Sequence, residues 1–125
     1  MNIAISNNDD RARNHAGFWS GQTLTLTPAY DLTPGQRTGD SFRQATAYGR
    51  DPGGAPGEKK SNFAALVAES ETSGLSGSAA RDVVDQLVAS IEDDWDDAAD
   101  AARLSAADKQ KLWEKQVLPT AAFFD

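Results

Sequence analysis

The polar stretch at residues 7–15, Asn-Asn-Asp-Asp-Arg-Ala-Arg-Asn-His, is the part of the sequence around which the rest of the chain is organised. Within it Asp9 and Asn14 are five positions apart, and Asp31 follows at the end of a short apolar segment. Phosphoryl transfer from ATP needs these residue types, because one carboxylate orients the substrate hydroxyl while an Asn oxygen and a second carboxylate hold magnesium. The Asp-x4-Asn spacing is that of a kinase catalytic loop. The sequence therefore predicts a site of this chemistry.

The spacing by itself also fits a structural role. Asp and Asn are common in turns, where their side chains hydrogen-bond to the nearby backbone. An Asp and an Asn at this spacing will therefore occur in many proteins without any catalytic function. Both interpretations remain open on spacing alone, and the surrounding sequence has to decide between them.

Two longer segments of the sequence strongly resemble one protein family. Residues 8–16 read Asn-Asp-Asp-Arg-Ala-Arg-Asn-His-Ala, and residues 26–34 read Leu-Thr-Pro-Ala-Tyr-Asp-Leu-Thr-Pro. Both segments are similar to those of the HipA family of bacterial serine/threonine kinase toxins, which belong to type II toxin–antitoxin modules. The likeness continues weakly through residues 61–125, so it covers most of this chain but only the C-terminal part of a full family member.

The resemblance implies a role for each polar residue. Asp9 corresponds to the catalytic carboxylate, and Asn14 and Asp31 correspond to the Mg²⁺ ligands, with ATP as the co-substrate. Asp10 is the less suitable acid because it lies only four positions before Asn14, and a local backbone hydrogen bond is the alternative role for it. Arg11 stands where the family usually has a His, a departure that leaves the proposed metal ligands intact.

The family also implies partners, which this sequence does not itself show. Its protein substrate class is a glutamyl-tRNA synthetase, and its usual partner is a small helix-turn-helix antitoxin. A kinase also needs a Lys on the phosphates and a loop that covers them, and in this family both lie upstream of the catalytic loop. Lys59 and Lys60 are poor substitutes, so we expect a truncated product, or half of a split kinase that needs a separate N-terminal lobe and is inactive alone.

A non-catalytic function is the alternative. Dividing a kinase across its core should leave exposed apolar surface, and such a patch is an interaction site. The chain would then be a remnant or a binding module that docks an antitoxin or a separate N-terminal lobe.

Composition limits the remaining classes of function. The 125 residues include no cysteine and one histidine, which excludes disulfides, thiolate metal sites and a histidine-built zinc site. The net charge is −7 and is unevenly distributed. Residues 1–60 contain seven basic and six acidic groups, whereas residues 61–125 contain five basic and thirteen acidic groups. The acidic half argues against direct nucleic-acid binding. No signal peptide or membrane span is visible, so we expect no membrane association and a cytoplasmic location.

The pattern predicts a mainly α-helical fold with a small β-hairpin, resembling the helical C-terminal part of the HipA kinase fold. One domain, residues 1–125, divides into the catalytic loop and hairpin (1–32), a Gly/Pro-rich segment (33–60) and a helical part (61–125). By the family layout, Met1–Ser6 is the last turn of a helix that leads into the catalytic loop.

The first two parts contain the predicted strands. Residues 15–19 and 23–27 should pair around a turn at residues 20–22, which contains a central Gly. The hairpin should have an apolar face, with Phe18 and Trp19 in the core, and Tyr30 should pack beneath Asp31. A strand is predicted at 42–48. Residues 53–61 superficially resemble a phosphate-binding loop, but they lack its Gly-Lys-Ser/Thr order, which favours a surface loop.

Three helices are predicted in the last part. The first spans 61–70 with Ser61 as its cap. The longest spans 78–102, with an apolar stripe at Val83, Val84, Leu87, Val88, Ile91 and Trp95. Its acidic run at 92–97 is read as a solvated face, with a calcium loop as the alternative. The third spans 105–117 and should place Trp113 in the core. The apolar end at 121–124 should tuck its two Phe residues into the body or belong to an interface.

Overall fold

The structure, a computed structural model, describes residues 1–35, 43–49, 57–113 and 115–123. In these ranges it has three α-helices and two small antiparallel two-stranded sheets. The elements are β1 (Gly17–Trp19), β2 (Leu24–Leu26), β3 (Arg43–Tyr48), β4 (Glu58–Lys60), α1 (Phe63–Ala68), α2 (Gly77–Ala101) and α3 (Ala106–Leu112). The predicted helices and hairpin are present, but the second sheet makes the fold a mixture of helix and strand rather than mainly helical. None of the described helices is long and apolar enough to span a bilayer.

The predicted hairpin forms, and its turn is the one expected. Strands β1 and β2 pair antiparallel with Trp19 opposite Leu24. Ser20 closes the turn by donating its N–H to the carbonyl of Thr23 at 3.1 Å. Gly21 has a φ of 93°, a conformation that costs glycine no steric clash.

The prediction that the hairpin is buried is wrong. Phe18 is 65% exposed and Trp19 is 66% exposed, and Leu24 and Leu26 are 65% and 74% exposed. Leu–Thr alternation indicates one apolar face, but it does not show whether another element covers that face. Among the described residues nothing does so.

The second sheet corrects the interpretation of residues 53–61 as a surface loop. Its strands β3 and β4 pair antiparallel, with Arg43 opposite Lys60 and Tyr48 opposite Glu58. The carboxylate of Glu58 accepts the backbone N–H groups of Lys60 and Lys59 at 2.6 Å each, and these bonds lower the pKa of Glu58. The strand predicted at 42–48 is present over Arg43–Tyr48. Residue 42 and residues 53–56 of the predicted loop lie outside the described residues.

Helix α1 begins later than predicted and has a different cap. Asn62, not Ser61, caps the helix, because its side-chain oxygen accepts the N–H of Ala65 at 3.1 Å. The Ser61 hydroxyl instead accepts a bond from Nε2 of buried Gln44 at 2.9 Å. Both residues are polar and can cap a helix, so the local sequence does not show which of them is the cap. The bond from Gln44, a residue distant in sequence, engages the Ser61 hydroxyl and leaves Asn62 as the cap.

Helix α2 confirms the predicted period. Ser76 caps it by accepting the N–H of Ala79 at 3.2 Å. The stripe side chains Val84, Leu87, Val88, Ile91 and Trp95 are half-buried against the core, whereas Val83 is exposed. The acidic run at 92–97 lies inside the helix with Asp93, Asp94 and Asp97 exposed, so the solvated face is the correct reading and the calcium loop is not.

Helix α3 is shorter than predicted, ending at Leu112 instead of residue 117. Ser105 caps it as expected, accepting the N–H of Asp108 at 3.1 Å. Trp113 is already extended, with ψ of 139°. The chain then turns so that Leu118 donates its N–H to the carbonyl of Ala4 at 2.6 Å. Packing of Val117 and Leu118 in the core overrides helix propensity here.

The buried core brings the two ends of the chain together. It consists of Ile3, Ala4, Phe63, Val117, Leu118 and Ala122. The Phe123 ring meets the Phe63 ring edge-on at 5.3 Å between centroids, while residue 124 lies outside the described part of the chain. Residues 1–6 form a helical turn, in which the N–H of Ile5 donates to the carbonyl of Met1 at 3.2 Å. The residues just before the loop at residues 7–15 are therefore held by the core.

Tyr48 allows a direct test of the second sheet. Its hydroxyl donates to the Lys60 carbonyl. Burial, together with the charges of Glu58 and Glu69, raises the pKa of Tyr48 from 10.0 to about 12. Since the folded chain holds this proton more tightly than the unfolded chain, the tyrosine stabilises the fold below pH 10.0 and that contribution is lost as the pH rises towards 12.

We expect the titration of Tyr48 to show this shift. Tyr30→Phe leaves Tyr48 as the only tyrosine of the chain. Absorbance at 295 nm should then titrate with a midpoint about two units above that of the same variant unfolded in urea. Matching midpoints for the folded and unfolded chain would contradict the burial of the Tyr48 hydroxyl.

Candidate functional site

The loop at residues 7–15 is anchored to the second sheet. The N–H of Ala45 on β3 donates to the carbonyl of Asn8 at 2.9 Å. The Thr46 hydroxyl, one residue further along the strand, donates to the carbonyl of Asp10 at 2.5 Å. Strand β3 therefore positions the loop, which explains why a sheet that the sequence pattern missed matters to the site.

The loop closes on itself around a short 3-10 turn, Ala12–Asn14. The N–H of Asn14 donates to the carbonyl of Arg11 at 2.8 Å. The side-chain Nδ2 of Asn14 donates to the carbonyl of Asp9 at 3.1 Å. Asn14 is thus held by both its backbone and its amide nitrogen.

The three predicted site residues do not all line the same cavity. Asn14 and Asp31 both line a cavity of about 160 Å³ between the loop and the segment after the hairpin. Asp9 is not among the lining residues, which are Met1, Asn2, Asn7, Asp10, Asn14, His15, Ala16, Leu26, Thr27, Pro28, Ala29, Tyr30, Asp31 and Leu32. The structure therefore brings two of the three predicted residues to one cavity.

The neighbouring carboxylates Asp9 and Asp10 have different surroundings. The Asp9 carboxylate accepts a hydrogen bond from Nε of Arg11, and its side chain is 59% exposed. The Asp10 side chain is 24% exposed, and its carboxylate lies 2.7 Å from Nε2 of His15. Asp10 thus has a polar partner beside the cavity rather than the backbone role that the sequence suggested.

Tyr30 joins the two halves of the site in an unexpected way. It is 44% exposed, so the prediction that it packs beneath Asp31 is wrong. Its hydroxyl donates to the carbonyl of Arg13 at 2.7 Å, linking the segment after the hairpin to the loop. Asp31 itself has a φ of 56°, a left-handed conformation that is uncommon for a residue other than glycine.

The donor set at the cavity suits magnesium. Amide and carboxylate oxygens, as in Asn14 and Asp31, are the hard ligands that Mg²⁺ takes in proteins, and it commonly completes its coordination with phosphate and water oxygens. In the part of the chain that the structure describes, no three His, Asp or Glu side chains are grouped so that they could hold a metal ion by themselves. A cation here would therefore be held by Asn14 and Asp31, with water or phosphate oxygens completing its coordination.

Comparison with known families decides what kind of domain this is. The family profile described as "HipA-like C-terminal domain" matches residues 1–95, about three quarters of the chain. The chain belongs to this HipA-like family. Searches of curated proteins and of solved structures each returned no match. The matched range of the HipA-like domain includes the loop, the hairpin, both sheets and most of α2.

The residue that sequence reasoning missed in this HipA-like site is Asn7. It was read only as part of the polar loop, yet it is 6% exposed. Its position directly after a Ser with φ of 54° is a weak local signal, since such a conformation needs support from its surroundings. One partner of Asn7, the carbonyl of Asp31, lies 24 positions away in the sequence, and only the fold reveals it.

Proposed function

We propose that this chain provides the catalytic-loop part of a HipA-like serine/threonine kinase. In this proposal Asp9 orients the substrate hydroxyl and accepts its proton, while Asn14 and Asp31 hold Mg²⁺ with ATP as the co-substrate. The observation that supports it best is the placement of Asn14 and Asp31 on one cavity. Membership of the HipA-like family supports the kinase chemistry.

Each residue would have a distinct task. Bound Mg²⁺ would neutralise charge on the phosphates during transfer. The hydroxyl oxygen would form its bond to the γ-phosphorus as the bond to the β,γ-bridging oxygen breaks, and Asp9 would take the hydroxyl proton. Asp9 must leave Arg11 to do so, and an ion pair as exposed as this one contributes only about 0–1 kcal/mol. Arg11 is therefore a weak restraint on Asp9.

Partners follow from the family resemblance. We propose a glutamyl-tRNA synthetase as the class of protein substrate and a helix-turn-helix antitoxin as a binding partner, both in the cytoplasm. The phosphate-binding Lys and the covering loop would come from an N-terminal kinase lobe. We expect the 125 residues without that lobe to bind ATP weakly, because half of a nucleotide cleft loses most of the positioning on which the reaction depends.

Magnesium binding tests the proposed site directly. We expect Mg²⁺ to shift the backbone amide NMR signals around Asn14 and Asp31 saturably, and Asp31→Asn to raise the dissociation constant at least about tenfold because a carboxylate ligand loses its charge. Asn14→Ala should have an effect in the same direction.

The matched control is Asp97→Asn, which removes one negative charge from the exposed face of α2, away from the cavity. If Asp97→Asn weakens Mg²⁺ binding as much as Asp31→Asn does, the chain attracts the ion only through its net charge. The proposed site would then be wrong.

A second candidate function has its own observation. The apolar hairpin side chains Phe18, Trp19, Leu24 and Leu26 are all well exposed, as a docking surface requires. The chain would then be a non-catalytic binding module for an antitoxin or an N-terminal lobe. Trp19→Ser with Leu26→Ser should abolish such binding in calorimetry. Binding to the lobe with no phosphate transfer by the complex would favour this function over the kinase.

A further inference from the structure

We infer that Asn7 is the positioning residue that holds the two halves of the site in register. Its side chain makes three hydrogen bonds, and all of them lead to the site or to the turn before it. This inference rests on the proposed magnesium site at Asn14 and Asp31. It assigns a function to a residue outside the proposed set of Asp9, Asn14 and Asp31.

The first arm of Asn7 sets the start of the catalytic loop. Its Oδ1 accepts the N–H of Asp9 at 3.2 Å. A bond from a side chain to the backbone two residues on is an Asx turn, which fixes the local path of the chain. Asn7 therefore constrains the backbone conformation between residues 7 and 9, and Asn7 itself is buried.

The second arm reaches across the fold to the metal half of the site. Its Nδ2 donates to the carbonyl of Asp31 at 3.2 Å, across 24 positions of sequence. Asp31 is the residue with the left-handed φ, and such a conformation persists only where its surroundings hold it. The bond from Asn7 is one such constraint, and it acts on the residue that carries the proposed metal-binding carboxylate.

The third arm provides a matched control. Nδ2 of Asn7 also donates to Oδ1 of Asn2 at 3.0 Å. Asn2→Ala removes this bond alone, whereas Asn7→Ala removes all three. A purely structural role would make metal affinity follow stability in both variants. A positioning role separates them, because only the Asn7 variant releases Asp31 and Asp9.

Serine at position 7 separates the two arms. Asn7→Ser can keep the bond to the Asp9 N–H, since Ser forms the equivalent turn, but its hydroxyl is too short to reach Asp31. Hydrogen exchange should therefore show the Asp9 amide protected in Asn7→Ser and exposed in Asn7→Ala. The Ser variant also keeps the test valid if the Ala variant does not fold.

The experiment is a Mg²⁺ titration of the full 125-residue chain followed by amide NMR shifts, with melting temperatures measured in parallel. We expect Asn7→Ser and Asn7→Ala to raise the Mg²⁺ dissociation constant by about 10–100-fold, the range for residues that orient a metal ligand. Asn2 also lines the cavity, but Asn2→Ala should weaken Mg²⁺ binding less than either Asn7 variant, because both site residues keep their bonds to Asn7.

The outcomes separate this inference from the proposed function. If Asp31→Asn weakens Mg²⁺ binding but Asn7→Ser matches Asn2→Ala, Asn7 is only structural and the inference is overturned while the site stands. If Asp31→Asn binds Mg²⁺ like the parent, or the parent binds none, the proposed site fails and the inference with it.

Discussion

Adding an N-terminal lobe of a HipA-like kinase to this chain should restore phosphate transfer from ATP, and Asp9→Asn should reduce that transfer by about 10²–10⁴-fold. This is the range for loss of a general base, since the Asn amide cannot accept the hydroxyl proton. The chain and the lobe should each be inactive alone. The measurement is transfer of the radiolabelled γ-phosphate of ATP to a glutamyl-tRNA synthetase by each part alone and by the mixture.

Asp10→Asn is the matched control for Asp9→Asn. The two substitutions are isosteric and adjacent in sequence. The Asp10 carboxylate, at the cavity, contacts the His15 ring, whereas the Asp9 carboxylate contacts the Arg11 guanidinium. We expect Asp10→Asn to retain most of the restored transfer. If Asp10→Asn removes the activity and Asp9→Asn keeps it, the family correspondence has been assigned to the wrong carboxylate. Robust transfer by the 125 residues alone would show that the lobe is not needed.

The largest effect on stability is expected at Trp113. Its ring lies 5.5 Å from that of Trp95, between ring centroids, and it packs against the core as predicted. Trp→Ala in a core costs about 3–5 kcal/mol, and because Trp113 is half-buried we expect about 3 kcal/mol. A domain of this size has only about 5–15 kcal/mol in total. Urea unfolding followed by far-ultraviolet circular dichroism measures the change.

Trp19→Ala provides the comparison for Trp113→Ala. The same ring is removed, but from the exposed hairpin, so the free energy of unfolding should change by less than about 0.5 kcal/mol. Equal losses from the two variants would mean that the Trp95–Trp113 contact does not join α2 to the segment after α3. A loss at Trp19 larger than that at Trp113 would mean that the hairpin is covered in solution.

Local sequence predicted the features that depend on near neighbours. The period of α2 repeats within each turn of the helix, so its half-buried stripe and exposed acidic face could be read directly. Ser105 could be identified as a cap because the N–H that it accepts lies three residues away. The turn of the hairpin and the existence of strand β3 were likewise local. That Asp9, Asn14 and Asp31 act in catalysis and metal binding stays a prediction.

Tertiary contacts decided the features whose partners are far apart in sequence. The Glu-Lys-Lys segment of β4 has no apolar pattern, and it becomes a strand because β3 pairs with it. Helix α3 ends early because Leu118 bonds to Ala4, and the hairpin stays exposed because no described element covers it.

Asn7 shows most clearly why the site needed the fold. The residue types around Asn7 do not distinguish it from Asn8, yet Asn7 is buried and Asn8 is exposed. What sets it apart is burial and a bond to Asp31, 24 positions away. A buried polar side chain must find hydrogen-bond partners, and only the folded chain determines which ones it meets. The sequence by itself thus determined the chemical types at the site, and the tertiary structure decided which of them lie together.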